Sequence, residues 1–306
     1  MFKGIDVSHN NGVIDWRKVK ESGIDFAIIR AGYGWAASQV DKQWKNNITN
    51  ALRYGIDCGS YWFSYATNIS EAKAEAALFL KTIEPYKLTY PIAYDYEYDS
   101  VEYAKKRVIE ITPKLACEIA DAFMSACAAA GYYIVNYTNN DYLVRYYTYP
   151  RLKNYEVWLA KWTRTKPVNV TGLWQNEVRG SQADIDARPQ RATVLGSVPG
   201  IKGAIDMDIS YKDYPSIIRA ANLNRLASKP ITVPAIIAQP PKQTFKDKDI
   251  VKVLKPVIYG TGKRFTTWFR DYDVIGTPKG DRVVIGKKGS ITAAVAAENL
   301  EKIYGG

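Results

Sequence analysis

Tyr90-Pro-Ile-Ala-Tyr-Asp-Tyr-Glu-Tyr98 is an apolar, aromatic run that reads as a β-strand and carries two carboxylates, Asp95 and Glu97, two positions apart. Alternation along a strand sets both on one face. A buried face with two acids and no nearby Lys or Arg is costly unless the acids are used. An isolated Asp-x-Glu is more often a solvated strand end, so the rest of the chain decides between the two readings.

Outward from this run, strand-like segments alternate with helical ones. The strands are expected at Phe2–Val7, Phe26–Ala31, Gly59–Tyr65, Pro91–Glu97, Tyr132–Tyr137, Val157–Lys161, Gly172–Gln175 and Gly203–Asp208. Helices are signalled from Asp41 to Tyr54, from Ser70 to Ile83 with Asn68 and Glu71 spaced as a capping box, and from Thr112-Pro113 to Ala130. Eight such runs predict an α/β fold, an irregular parallel β/α barrel of TIM-barrel type, over residues 1–228. Helical signals fade between the last three strands, where loops or hairpins are expected. A proline-punctuated linker follows over 229–245. Residues 246–306 hold short alternating runs at Ile250–Ile258, Asp273–Ile275 and Arg282–Ile285, which predict a small all-β C-terminal domain.

Composition narrows the function classes. The chain has 306 residues, 47% of them hydrophobic, enough for one large and one small core. No stretch approaches the roughly 20 apolar residues of a membrane span, and Met1-Phe-Lys-Gly-Ile-Asp6 enters a strand without the pattern of a signal peptide. The expectation is a start in a cytoplasm and no membrane insertion. Three cysteines without close pairs and a single histidine, His9, offer no disulfide framework, zinc site or Ser-His-Asp triad. No metal or cofactor is expected, and His9 reads as a turn residue. The net charge of +11 implies an anionic partner; it divides as +4 over 1–228, +2 over 229–245 and +5 over 246–306. The C-terminal piece is the most basic for its size among the two domains, which suits targeting. No helix bears a dense Lys/Arg stripe, which argues against a nucleic acid.

In α/β barrels the site lies at the C-terminal strand ends. Asp6 closes the first run, Asp95 and Glu97 the fourth and Asp206 the last, with Tyr33, Trp35, Tyr61, Trp62, Tyr65, Tyr137, Trp162 and Trp174 near other strand ends. Acids accept from hydroxyls and flat sugar faces stack on rings, so the set reads as a sugar-binding groove. Each aromatic taken alone serves as well in a barrel core.

Gly4-Ile-Asp-Val-Ser-His-Asn-Asn-Gly12 with Ile14-Asp-Trp16, Tyr94-Asp-Tyr-Glu97, Trp158-Leu-Ala160, Leu173-Trp-Gln175 and Gly200-Ile-Lys-Gly-Ala-Ile-Asp206 occur in that order. Together they resemble the landmarks of glycoside hydrolase family 25, the Chalaropsis-type lysozymes or N-acetylmuramidases common among phage endolysins. The resemblance covers about residues 1–215. It implies cleavage of the β-1,4 bond between N-acetylmuramic acid and N-acetylglucosamine, with Glu97 as general acid/base and Asp95 as its partner. Asp6 and Asp206 correspond to the other active-site carboxylates, and Tyr61, Trp62, Tyr137 and Trp174 complete the expected substrate-binding set.

Glu97 must carry a proton near neutral pH to serve the leaving oxygen, which burial and adjacent negative charge favour. Two residues along a strand rise about 6.6 Å, between the carboxyl separations of retaining and inverting glycosidases, so spacing leaves the stereochemistry open. The 2-acetamido group of the implied substrate favours neighbouring-group attack, with Asp95 orienting the acetamido nitrogen.

The pattern departs from the family where Asn176 replaces an expected tyrosine and where Glu177 to Leu195 reads as an enlarged, acidic loop holding Asp184 and Asp186. Val251-Lys-Val, Asp281-Arg-Val-Val-Ile-Gly286 and Ile291-Thr-Ala-Ala-Val295 resemble a bacterial Src-homology-3-like wall-binding module of clostridial-type lysins. Its candidate contacts are Trp268, Phe269 and Tyr272, which fit its core equally well. The implied partner is a Gram-positive peptidoglycan, the clostridial type included, with its anionic wall polymers. The implied setting is a phage endolysin held in the host cytoplasm until a membrane pore releases it. A non-hydrolytic wall binder and a basic nucleic-acid binder are the competing classes, the first opposed by the complete acid set and the second by the missing basic face.

Overall fold

The computed structural model describes residues 1–187, 193–226 and 245–304. The chain divides into two compact units, Met1–Pro230 and Ile231–Gly306. The linker expected over 229–245 lies, up to residue 244, outside the described residues. Among the described residues no helix is long and apolar enough to cross a membrane.

The first unit opens with β1 (Phe2–Val7), α1 (Trp16–Glu21), β2 (Phe26–Tyr33), α2 (Trp44–Arg53), β3 (Asp57–Phe63) and α3 (Ile69–Ile83). It continues through β4 (Ile92–Asp95), α4 (Tyr98–Lys106), α5 (Pro113–Ala129), β5 (Ile134–Asn139), α6 (Asn140–Arg145) and β6 (Glu156–Ala160). It ends with β7 (Leu173–Gly180), α7 (Gln182–Ala187), β8 (Thr193–Leu195), β9 (Ile205–Ser210) and α8 (Tyr214–Ala220). The caps act where the sequence signals them. Thr112 Oγ1 accepts from Leu115 N at 3.2 Å with Pro113 as first helical residue, and Asn68 Oδ1 accepts from Glu71 N at 3.0 Å. Glu71 reaches one residue further back than a capping box requires, accepting from Thr67 N at 2.8 Å.

Strands β6, β5, β4, β3, β2, β1, β9 and β7 pair in that order, and β6 pairs with β7 to close the ring; β8 adds to the outer end of β7. β1 to β7 run parallel, whereas β9 is antiparallel to both β1 and β7. The irregular parallel barrel expected from the sequence is observed, and its irregularity among the late strands is the antiparallel β9. The chain leaves β8 in the direction of β7 and has no helix between Leu195 and Ile205 to carry it back to the opposite end. It therefore enters β9 from the face it has just reached. The expected loop over Glu177–Leu195 is corrected: β7 runs on to Gly180, and α7 and β8 follow.

Strand parity sorts the side chains. Phe26, Ile28, Ala93, Val135, Trp158 and Leu173 fill the barrel together with Tyr90, Tyr214 and Ile218. Ile5, Val7, Ala27, Ile29, Ile92, Tyr94 and Ile134 point outward and pack with Ile48, Phe79 and Phe123 of the helices. Gly59 is required by this crowding, since a Cβ there would stand 2.3 Å from Pro91 O and 2.7 Å from Ile28 Cδ1.

The second unit is a five-stranded antiparallel sheet of β10 (Ile250–Val253), β11 (Tyr272–Val274), β12 (Arg282–Lys287), β13 (Ser290–Ala296) and β14 (Leu300–Tyr304). Their order is β13-β12-β11-β10-β14. Lys288 and Gly289, at φ 50° and 81°, make the tight turn between β12 and β13. Alternate residues Val251, Tyr272, Val274, Val283, Ile285 and Val295 form its core with Phe245 and Leu300. β14 was not signalled by the sequence; its pairing with β10 orders a short, charged segment.

Candidate active site

A cavity of about 1050 Å³ opens at the barrel mouth, where β1 to β7 end and β9 begins. Asp6, Asp95, Glu97, Asp206, Tyr61 and Tyr137, all expected from the sequence, line it. The antiparallel course of β9 explains Asp206. It is the second residue of that strand and not a terminal one, and it stands beside Asp6 in the β1–β9 ladder.

Asp95 and Glu97 do not share a strand as the sequence suggested. β4 stops at the buried Asp95, whose carbonyl accepts from Ser64 N at 2.8 Å. Glu97, half-buried, is the residue that caps α4, and its N–H donates to Ser100 Oγ at 3.2 Å. Ser100 Oγ in turn donates to Ser64 O at 2.7 Å, which ties the ends of β3 and β4 to the start of α4. Burial first, then the charge of Glu97, raises the Asp95 carboxyl well above the usual carboxylate range, and the Arg30 guanidinium opposes this. Two adjacent carboxyls so placed resist ionising together. Asp95 Oδ1 is buried and meets no donor among the described residues.

The opposite wall is a second acid group. Asp6 Oδ2 accepts from Gln175 Nε2 at 2.8 Å, and Gln175 Oε1 accepts from Tyr137 OH and Trp162 Nε1, each at 3.1 Å. Asp208, one turn of the pleat below Asp206, accepts from Trp158 Nε1 at 2.8 Å. Burial pushes its carboxyl up to about 8, and the nearby Asp206 adds to the effect. Asp6 is raised for the same reasons: burial, then the charges of Asp208 and Asp206. Tyr137 and Tyr61 stand edge-on to Trp158, at 4.6 and 6.4 Å between ring centroids, and give the floor its aromatic character.

Two expected groove residues lie elsewhere. Trp62 is fully buried among the helices, against Phe79 at 5.5 Å, and its indole N–H donates to Gly34 O. Trp174 packs outside the barrel with Leu159 and Val170 and donates to Lys161 O. Their neighbours Tyr61 and Gln175 face inward, and alternation denies adjacent residues the same face. In the second unit Trp268 and Phe269 are exposed at 77% and 48%, whereas Tyr272 is corrected to a core residue. Its hydroxyl accepts from Trp268 N at 2.9 Å and Phe269 N at 3.2 Å, so it holds the segment that displays them.

The sequence reading missed Asp208, Arg30, Trp158 and Gln175. Parity was the available signal, since Asp208 follows Asp206 at one alternation and Arg30 continues the inward row Phe26, Ile28. Arg30 also supplies the acids with a cation that the residues next to them in sequence do not. Its Nε lies 2.9 Å from Asp41 Oδ2, and Asp41 bonds His9 Nδ1 at 3.0 Å. His9, in a short turn of helix, lines the groove as part of this brace. Asp184 also lines the groove, with Oδ2 accepting from Ser181 N and Oγ at 2.8 and 2.7 Å.

Behind the acids Glu75 of α3 is wholly buried, accepting from Ser64 Oγ and, at 2.8 Å, from Tyr65 N. Burial raises its carboxyl from 4.5 to about 8, against the pull of those two bonds. A raised folded value means the folded state holds the proton more tightly, so this contribution is full below about 4.5 and is lost as pH climbs through about 8. Glu75→Gln removes the charge, keeps one acceptor oxygen for Tyr65 N, and turns an amide NH2 towards Ser64 Oγ, which can accept from it. Its thermal midpoint relative to the parent is expected to rise between pH 5 and pH 8, and an unchanged difference across that range would remove the ionisation argument.

A family model for glycosyl hydrolases family 25 matches residues 5–185. The chain is 42% identical over 77 residues to Lysozyme M1 of Streptomyces globisporus, which is 25% of either chain. It is 25% identical over 207 residues to the autolytic lysozyme of Clostridium acetobutylicum, 68% of this chain and 55% of that one. The matches thus span a quarter and about half of these relatives' lengths. Among solved structures, the modular autolysin LytC of Streptococcus pneumoniae, determined with a synthetic peptidoglycan ligand, superposes at TM-score 0.56 with 28% identity. That match covers 69% of this chain and 46% of LytC. With the family model spanning more than half of the residues, from β1 through Asp95 and Glu97 to Asp184 in α7, the chain belongs to glycosyl hydrolases family 25.

Proposed function

We propose that the chain is a peptidoglycan hydrolase that cleaves the β-1,4 bond between N-acetylmuramic acid and N-acetylglucosamine. The observation that carries this reading is the buried Asp95 beside the half-buried Glu97 at the mouth of an aromatic-floored groove. Glu97 gives its proton to the glycosidic oxygen as the bond to C1 breaks. Asp95 Oδ1, which meets no donor among the described residues, accepts from the N–H of the 2-acetamido group. That bond favours an ionised Asp95 and so draws the shared proton onto Glu97. The acetamido carbonyl oxygen closes on C1, water then opens the ring at C1 and returns a proton to Glu97, and the configuration is retained. Asp6, Asp206, Tyr61 and Tyr137 hold the sugar from the other wall.

The reading is tested by incubating purified peptidoglycan with the full chain and identifying the new reducing ends by mass spectrometry. Muramic acid ends support it. Binding to walls with no new ends would make the chain a non-hydrolytic wall binder.

The second unit is, in this reading, a wall-binding module of a phage endolysin acting on Gram-positive walls, the clostridial type included, after a membrane pore opens the way. Its support is the +5 charge of residues 246–306 and the exposed Trp268 and Phe269. Replacing both aromatics by alanine is expected to weaken sedimentation with Gram-positive walls about tenfold or more, the scale of losing central aromatic contacts. Binding by the parent should also fall as salt rises if anionic wall polymers contribute. Wall binding unchanged in the double variant would remove this pair from the contact surface.

A further inference from the structure

A second cavity of about 510 Å³ adjoins the groove. Tyr33, Tyr65 and Asp99 line both, so the two share a wall. One wall is a single face of α4: Asp99, Glu102, Tyr103 and Lys106 recur at the spacing that stacks side chains along a helix. Glu97 caps the same helix, and Tyr103 lies six residues on, about 9 Å along the axis at 1.5 Å per residue. The cavity therefore begins beside the acid and leads away from it.

Its other walls are rings. Tyr33 meets Tyr65 at 6.2 Å, Tyr65 meets Tyr103 at 5.2 Å, and Tyr103 meets Trp35 at 6.2 Å, which makes an unbroken aromatic path out of the groove. The far end is held in place. The Arg107 guanidinium sits 5.7 Å from the Trp35 ring and 5.6 Å from the Tyr103 ring, and Glu71 grips it through both carboxylate oxygens at 2.9 and 3.2 Å. Trp35 nevertheless remains 38% exposed. A large ring braced by a cation and left partly open is poorly explained by packing. It matches a platform for a flat apolar face with polar edges, and the polar groups around it, Gln39, Asp99, Glu102 and Lys106, supply donors and acceptors for hydroxyls.

We propose that this side cavity is a further saccharide subsite, in which Trp35 and Tyr103 receive an N-acetylhexosamine of the same glycan strand beyond the units held at Asp95 and Glu97. The assignment deepens the glycan-cleaving reading and rests on it for the identity of the strand.

The test is affinity against chain length, measured by calorimetry with full-length Glu97→Gln protein and peptide-free glycan oligomers of two to eight sugars. Affinity should rise by roughly tenfold once the oligomer reaches the side cavity, and that step should vanish with Trp35→Ala and return with Trp35→Tyr. Circular dichroism and the thermal midpoint identify a variant that has merely lost its fold, in which case Trp35→Gln takes its place. A length dependence that Trp35 does not alter overturns the subsite. A loss confined to oligomers bearing stem peptides also overturns it and assigns the cavity to peptide. Cleavage assays on the parent separate the two readings: a Trp35-dependent step without cleavage leaves the subsite standing and removes the hydrolase, and cleavage without the step does the reverse. Neither cleavage nor oligomer binding removes both.

Discussion

Glu97→Gln will slow the release of reducing ends from peptidoglycan by about 10² to 10⁴-fold, the range for losing a positioned general acid. Glutamine has the same outline, so the capping position at α4 and the N–H bond to Ser100 Oγ at 3.2 Å remain. What disappears is the transferable proton. Wall binding, circular dichroism and thermal midpoint should stay at the parent's values, which separates lost chemistry from lost structure. Retention of more than a tenth of the parent's rate would show that another group serves the leaving oxygen, and Asp95 would be the first to examine.

Asp95→Asn will cost about 100- to 1,000-fold, the scale of removing one preorganised charge-stabilising contact. An asparagine at that position presents no negative oxygen to the acetamido N–H and no charge to the cation that forms at C1. It also changes the pH profile in a definite direction. In the parent, burial and the charge of Glu97 raise Asp95, so the proton held by the pair is lost only above the usual carboxylate range. The alkaline limb of activity follows that loss. In the Asp95→Asn variant the repulsion is gone, the remaining carboxyl of Glu97 releases its proton more readily, and the alkaline limb moves to lower pH. A limb that stays in place would separate the pair electrostatically. The anomer first released by the parent bears on the same residue: a β product agrees with neighbouring-group attack, whereas an initial α product would exclude it.

The legible part of the site is its acids. Asp6, Asp95, Glu97 and Asp206 were marked by their place at the ends of apolar runs, and all four line the groove. The aromatics were less legible because a ring near a strand end has two faces to choose from. Tyr61 and Trp62 are neighbours, so strand alternation admits only one of them to the groove; the sequence named both, and the barrel admits Tyr61. Tyr272 illustrates the same limit in the small sheet, where its ring is core and only its hydroxyl serves the exposed Trp268 and Phe269.

The sequence alone determined what depends on neighbours within a few residues: the strand and helix alternation, the caps at Asn68 and Thr112, the small β unit at the C-terminal end, and the acids at or beside strand ends. Closing the barrel decided the rest. It set β9 antiparallel, brought Asp206 level with Asp6, and joined Gln175 to Asp6 across 169 residues. It also carried Arg30 to the acids and set one face of α4 along an aromatic side cavity. Periodicity reports which face of an element is apolar, but which faces then meet is fixed by pairing partners far apart in the chain, and no local pattern encodes that choice.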